Sequence, residues 1–257
     1  GFCGPAETIV TACASGPHAI GAAARLVASG RCDVAIAGAS EAGMTPTGMA
    51  GFRNMTAMSS RDMSQPFAAD RDGFVISEGA GILVLESEEH AARRGATVLA
   101  WLAGAASTAD AHHITAPAPG GRGAISCMRL ALEDAGISPS DVGYINAHGT
   151  STPRNDEAEA DAIMTVFGTD GPLVSSTKGV TGHLLAASGA VEAVASVMAI
   201  QRRLLPPTWG TDEIDPAIAP IRLITQGDGQ AWEPRAIVSN SFGFGGHNGT
   251  LVIAPTA

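Results

Sequence analysis

The chain has 257 residues, 45% apolar, 16% charged and 4% aromatic, with a formal net charge of −10. That length and apolar content support one large or two modest domains around a buried core, and they exclude intrinsic disorder and fibrous repeats. The excess of 25 acids over 15 bases argues against nucleic acid or an anionic membrane as the main partner, because such binding rests on phosphate neutralisation.

In chain order, short β-branched runs alternate with Ala-rich amphipathic stretches, the pattern of an α/β protein whose strands are covered by helices. Residues 8–11 read as the end of a buried strand, 16–29 as a helix and 33–37 as the next strand, punctuated by Gly30 and Gly38. A Gly- and Met-rich region follows over 43–63. Then come a strand over 81–85 and a helix over 87–94 that Gly95 closes as a C-cap. A second unit starts there, giving the expected division 1–95 and 96–257. In it, 97–103 is strand-like, 123–135 is a helix closed by Gly136, and 142–146 is a strand running into His148. Residues 156–167 read as helix, 173–175 as strand, and 186–203 as a long helix stopped by Pro206 and Pro207. A strand pair over 236–239 and 250–253 encloses a Gly-rich loop.

Cys3, Cys13, Cys32 and Cys127 show no C-x-x-C spacing and are too sparse for a disulfide framework, so they read as reduced thiols with no metal signature. No signal-peptide pattern opens the sequence. Its longest apolar stretch, 189–200, is broken by Glu192 and falls short of a bilayer span. The expectation is a cytoplasmic protein. Lys178 is the only lysine, which marks it as a place where arginine does not serve.

Four segments carry chemistry. In Thr11-Ala12-Cys13-Ala14-Ser15-Gly16, a cysteine stands between a strand and a helix, where a helix N-terminus stabilises thiolate and small neighbours leave room for an acyl group. Alone, this hexapeptide fits better a cysteine packed as a small hydrophobe. In Asn146-Ala147-His148-Gly149-Thr150-Ser151-Thr152-Pro153, a histidine and hydroxyls sit at a strand C-terminus, where catalytic groups of α/β proteins collect; a turn that merely caps the next helix is the competing reading. The segment 176–183 brings Lys178 and His183 together before a second Ala/Gly-rich helix. Segment 240–248 places glycines on both sides of Phe244, and an N–H of this loop together with that of Cys13 would make a two-donor oxyanion hole. Its Gly-x-Gly-Gly order, with no helix following, does not fit a dinucleotide fingerprint.

Taken together, and with Pro66-Phe67, Asp70-Arg71-Asp72-Gly73-Phe74-Val75 and Glu78-Gly79-Ala80-Gly81 between them, these segments resemble the condensing enzymes of the thiolase superfamily. The resemblance is to the β-ketoacyl-[acyl carrier protein] synthase II type and runs from about Cys13 to Ile253. It implies a thiolase-like α/β fold with αβαβα layers and mixed five-stranded sheets, of which this chain holds the end of the N-terminal half and all of the C-terminal half. It also implies that residues of the same fold precede Gly1, so that Val10, Ile20, Leu26, Val34 and Ile36 are left exposed.

By the same resemblance Cys13 is the nucleophile, His148 and His183 complete a Cys-His-His triad, and Phe244 is the gate of the Gly-rich loop. Lys178 is paired with Glu159, and both are assigned to the catalytic set. Thr115, Thr150, Thr152, Phe242 and Gly245 bind substrate carried on phosphopantetheine. The implied reaction is decarboxylative condensation of an acyl-enzyme with malonyl-acyl carrier protein, without metal or redox cofactor. The implied partners are acyl carrier protein and a second copy in a homodimer, and neither nucleic acid nor membrane. Arg53, Arg61 and Arg71 are candidate docking cations for the acidic carrier. Asn155 departs from the glycine common in fatty acid synthases and matches polyketide ketosynthases, which leaves that pathway open.

Overall fold

The computed structural model describes residues 1–218, 220–225 and 227–256. Its elements are α1 (Ser15–Ala28), β1 (Val34–Glu41), α2 (Pro46–Asn54), β2 (Gly79–Glu86), α3 (Glu88–Arg93), β3 (Trp101–Ala109), α4 (Arg122–Ala135), β4 (Val142–Asn146), α5 (Pro153–Phe167) and β5 (Leu173–Ser175). They continue with α6 (Lys178–Thr181), α7 (Ser188–Arg202), the two-residue strands β6 (Leu204–Leu205), β7 (Arg222–Leu223) and β8 (Gln230–Ala231), then β9 (Ala236–Gly243) and β10 (His247–Ala254).

The main sheet has the order β3-β10-β9-β4-β5-β7, antiparallel from β3 to β9 and parallel from β9 onward. Five of these strands match the expected mixed sheet, and the two-residue β7 adds a sixth at the edge. Alternation along each strand sends neighbours to opposite faces. Tyr144, Ile237 and Leu251 join the core beneath α1 and α7, whereas Ile145, Val238 and Val252 join the core beneath α4 and α5. Beyond α1 and α7 lies the antiparallel pair β1–β2. Among the described residues the layers are therefore helix, sheet, helix and strand pair.

Local signals explain most boundaries. Ser87 caps α3 by accepting from the His90 N–H, with Glu88 and Glu89 in the first turn. Gly136 ends α4 at φ 66°, its N–H returning to carbonyls of the last turn. Three expectations change. Residues 8–11 form no strand beyond a single bridge between Thr11 and Cys13, because among the described residues no strand lies beside them to accept a ladder. The strand expected over 97–103 runs later, over Trp101–Ala109, where β10 pairs with it. Ile20 is fully buried against the second core, because α1 packs on α7 and the main sheet, whereas Val10 (81%) and Ile36 (57%) are exposed as expected.

The helix crossing that builds the site depends on two glycines. A Cβ on Gly16 would lie 2.6 Å from the Ala190 amide nitrogen, and one on Gly189 would lie 2.5 Å from Pro17 Cδ and Ser241 Oγ. Only bare backbone lets the first turns of α1 and α7 approach this closely. That approach brings the turn before α1 and the turn before α7 to one place.

Candidate active site

Cys13 sits two residues ahead of α1, in a tight turn where the Ala14 N–H donates to the Thr11 carbonyl and the Ser15 N–H to the Ala12 carbonyl. Ala12 adopts φ 50°, a left-handed conformation costly for a residue with a Cβ and typical of functional turns. The Ser15 hydroxyl bridges the turn, donating to the Ala12 carbonyl and accepting from the Thr11 N–H.

His148 follows β4, and His183 follows α6. The sulfur of Cys13 lies 3.2 Å from His183 Nε2, and His183 Nδ1 lies 2.8 Å from Ser188 Oγ. The two imidazoles meet edge to face with centroids 5.4 Å apart, and Phe74 packs on His183 at 4.9 Å. Behind His148, the Glu159 carboxylate accepts the His148 N–H at 2.8 Å and the Gly149 N–H at 2.7 Å, which fixes the loop backbone. Among the described residues, His148 Nδ1 is buried without a hydrogen-bond partner.

A cavity of about 380 Å³ opens onto these groups; its wall includes Cys13, His148, His183, Thr150, Thr152 and Phe244. The β9–β10 hairpin carries Phe244 at its tip, with Gly245 at φ 83° and Gly246 at φ 75°. A Cβ on Gly243 would press on the Thr11 carbonyl at 2.9 Å and the Cys13 nitrogen at 3.0 Å, so this loop meets the cysteine turn through bare backbone. The backbone N–H groups of Phe244 and Cys13 both favour charge on the sulfur. Two backbone N–H donors are what an oxyanion requires.

Burial governs the electrostatics. It pushes the Cys13 thiol up to about 11, against the opposing pull of Lys178 and the N–H groups of Phe244 and Cys13. The helix N-terminus that the sequence offered as a source of thiolate is outweighed by desolvation. Burial, then Lys178, hold both imidazoles well below their usual value, with His183 a further cause for His148. The resting triad is neutral. Burial also raises Glu159 to about 7, although the Gly149 and His148 N–H groups oppose it.

One sulfur and two imidazole nitrogens within 4.8 Å of one another form the only metal-competent cluster among the described residues. Ligand atoms around a tetrahedral zinc, with bonds of about 2.0–2.3 Å, stand about 3.3–3.8 Å apart. The 3.2 Å sulfur–nitrogen contact is instead a hydrogen-bond distance.

The model of the beta-ketoacyl synthase N-terminal domain matches residues 1–91, and that of its C-terminal domain matches residues 99–212. The chain belongs to the beta-ketoacyl synthase family. It is 47% identical to the mitochondrial 3-oxoacyl-[acyl-carrier-protein] synthase of Arabidopsis thaliana, over 99% of this chain and 57% of the relative. It is 49% identical to 3-oxoacyl-[acyl-carrier-protein] synthase 2 of a Synechocystis strain, over 96% of this chain and 61% of the relative. The chain thus spans about three fifths of these curated relatives.

A beta-ketoacyl synthase from Burkholderia phymatum superposes with TM-score 0.90 at 39% identity, over 96% of this chain and 60% of that one. A structure described as a type II PKS acyl-carrier protein in complex with its ketosynthase bound to the hexaketide superposes with TM-score 0.94 at 39% identity, over 98% and 64%. The fold is the thiolase-like fold of ketosynthases.

Within this beta-ketoacyl synthase fold, Cys13, His148, His183, Thr115, Thr150, Thr152, Phe242 and Phe244 share one cavity wall. Three residues from the sequence reading stand elsewhere. Gly245 is off the wall, with its N–H committed to the Ile114 carbonyl. Glu159 and Lys178 are fully buried behind it and do not touch the cavity. Lys178 pairs with Glu192 rather than with Glu159; the Glu159 oxygens are taken by the two backbone N–H groups, and α7 carries Glu192 to the ammonium.

Arg71 is not a docking cation either. It is buried and held by Asp156 and Asp215. Cys32 is half-buried and Cys3 exposed, so of the other thiols only Cys127 is enclosed. Sequence reasoning missed Ser188, Glu192, Phe74 and Asp110. Glu192 had a signal, as the acid interrupting the apolar run of α7. Asp110 ties the cavity rim together by accepting from the Ala118 N–H and Asn248 Nδ2, each at 2.8 Å.

Proposed function

We propose that the protein containing this chain is an elongating ketosynthase that condenses a Cys13-bound acyl group with malonyl-acyl carrier protein. The observation that carries the reading is the 3.2 Å Cys13–His183 contact in a cavity that His148 and Phe244 also line.

In the first stage the Cys13 sulfur attacks the acyl thioester while its proton passes to His183 Nε2. The Cys13 and Phe244 N–H groups hold the oxyanion, and the departing carrier thiolate takes the proton and leaves as a thiol. In the second stage the malonyl carboxylate leaves as carbon dioxide. His148 and His183, as neutral N–H donors, stabilise the enolate on the thioester carbonyl, each contributing on the order of 3 kcal/mol. The enolate carbon attacks the Cys13 thioester; collapse expels the Cys13 thiolate, which is reprotonated, and releases 3-oxoacyl-carrier protein. Lys178 acts through its field: it favours thiolate at Cys13 and disfavours imidazolium at both histidines. This sequence of steps uses no metal or redox cofactor.

The curated relatives' names support fatty acid elongation. A polyketide substrate is the second reading, favoured by Asn155 on the cavity wall and by the hexaketide named in one structural relative. Acyl carrier protein is the partner in this reading, supported by the same relative, and a homodimer is its assembly. All four cysteines are free, which fits a cytoplasmic setting, and among the described residues no helix is long and apolar enough to cross a membrane. The test is turnover of the intact protein with malonyl-carrier protein and either saturated fatty acyl or polyketide carrier thioesters. A 3-oxoacyl product from the saturated chain, absent in Cys13→Ala, supports elongation; product only from polyketide chains selects the second reading.

A further inference from the structure

His183 is asked for opposite services in the two stages, and the structure contains a group able to support both. When the Cys13 sulfur attacks, His183 Nε2 must accept a proton. When carbon dioxide leaves, the same nitrogen must present an N–H to the thioester carbonyl. A neutral imidazole carries one donor and one acceptor nitrogen, so the two services correspond to opposite tautomers. Which tautomer is favoured depends on the partner of the other nitrogen.

That partner is the Ser188 hydroxyl, 2.8 Å from His183 Nδ1. A carboxylate or carbonyl there would only accept, and would lock the proton on Nδ1. A backbone N–H would only donate, and would lock the proton on Nε2. A hydroxyl does either by turning its hydrogen. Ser188 is buried at the first position of α7, and Oγ makes no other hydrogen bond among the described residues, so its hydrogen is free to turn. Phe74 packed against the ring keeps Nε2 directed at the sulfur in both tautomers.

We infer that Ser188 is a positioning residue that pairs with His183 Nδ1 in both tautomers, accepting from it in acyl transfer and donating to it in enolate formation. The change of tautomer is a net move of one proton from Nδ1 to Nε2, exchanged with water after the first carrier arm leaves and before the second enters. This inference rests on the proposed two-stage reaction for its purpose, but its physical content is a property of the resting protein.

Two measurements separate the two. In the intact protein without substrate, ¹⁵N shifts of the His183 ring should lie between the protonated and bare values at both nitrogens, the signature of exchanging tautomers. Ser188→Thr should preserve this, and Ser188→Ala should displace it. A single fixed tautomer in the native protein overturns the inference, whether or not the protein condenses anything.

In the kinetic arm, acylation of Cys13 and loss of carbon dioxide from malonyl-carrier protein are timed separately. Ser188→Ala should slow both by about threefold to tenfold, the scale of one lost neutral hydrogen bond, and Ser188→Thr should recover most of each rate. Slowing of one stage only would make Ser188 a one-way partner and refute the two-way role. Equal stage rates in Ser188→Ala and native protein would remove any role. Absence of both activities from the native protein counts against the proposed function alone, and the spectra still decide the inference.

Discussion

At the scale of single residues, the site is set by desolvation more than by helix dipoles. Cys13 precedes α1, but burial leaves its thiol at about 11. Site-resolved alkylation of Cys13 by iodoacetamide, followed by mass spectrometry, should therefore accelerate by about tenfold per pH unit from pH 7 to pH 10 without a plateau. A plateau below pH 8 would mean that Lys178 and the backbone N–H groups dominate. The buried ion pair makes a second prediction. Lys178→Met leaves Glu192 as an unpaired buried acid and should cost about 3–5 kcal/mol in urea denaturation, whereas Lys178→Met combined with Glu192→Gln should recover much of that stability without recovering turnover. Glu159 adds a pH signature. Its folded value of about 7 exceeds its ordinary 4.5, so the folded state holds the extra proton between those values. Its contribution to stability is present below pH 4.5 and is lost as pH rises through 7. Glu159→Gln should flatten that part of the stability–pH curve.

At the scale of elements, the crossing of α1 and α7 positions the chemistry. Gly16→Ala or Gly189→Ala places a methyl within 2.6 Å of atoms of the other helix or its surroundings. Each should cost about 1–3 kcal/mol by overpacking and lower Cys13 reactivity, because the contact between Cys13 and His183 spans that crossing; denaturant midpoints and alkylation rates check both. The sequence made much of this legible. The spans of β4 and β5 coincide with those read from the sequence, and α4 ends at Gly136 as read. What it hid were pairings across long separations. The residues 8–11 look like a strand, but pairing depends on a neighbour that pattern cannot supply. Lys178 stood out as the only lysine, but whether Glu159 or Glu192 faces it depends on how α5 and α7 dock. Ser188 was unreadable because its importance lies in one contact made by tertiary packing.

At the scale of the whole molecule, the strand pair β1–β2 leaves apolar side chains open to solvent. Among the described residues no strand pairs with its outer edges, and Ile36 (57%), Ile82 (55%) and Val84 (62%) face outward. Exposed apolar side chains beside open strand edges favour association. Residues 1–257 expressed alone should sediment as species larger than 25.8 kDa, and Ile82→Lys with Val84→Glu should shift them toward monomer; a monodisperse native monomer would show that these faces are tolerated in water. The central claim is that Cys13 is the acyl acceptor in the shared cavity. Its most direct test is peptide mass mapping of the intact protein after exposure to an acyl-carrier protein thioester. The account predicts one acyl adduct, on Cys13, discharged when malonyl-carrier protein is added. An adduct on Cys3, Cys32 or Cys127 with Cys13 unmodified, or a Cys13 adduct that malonyl-carrier protein leaves in place, would contradict it.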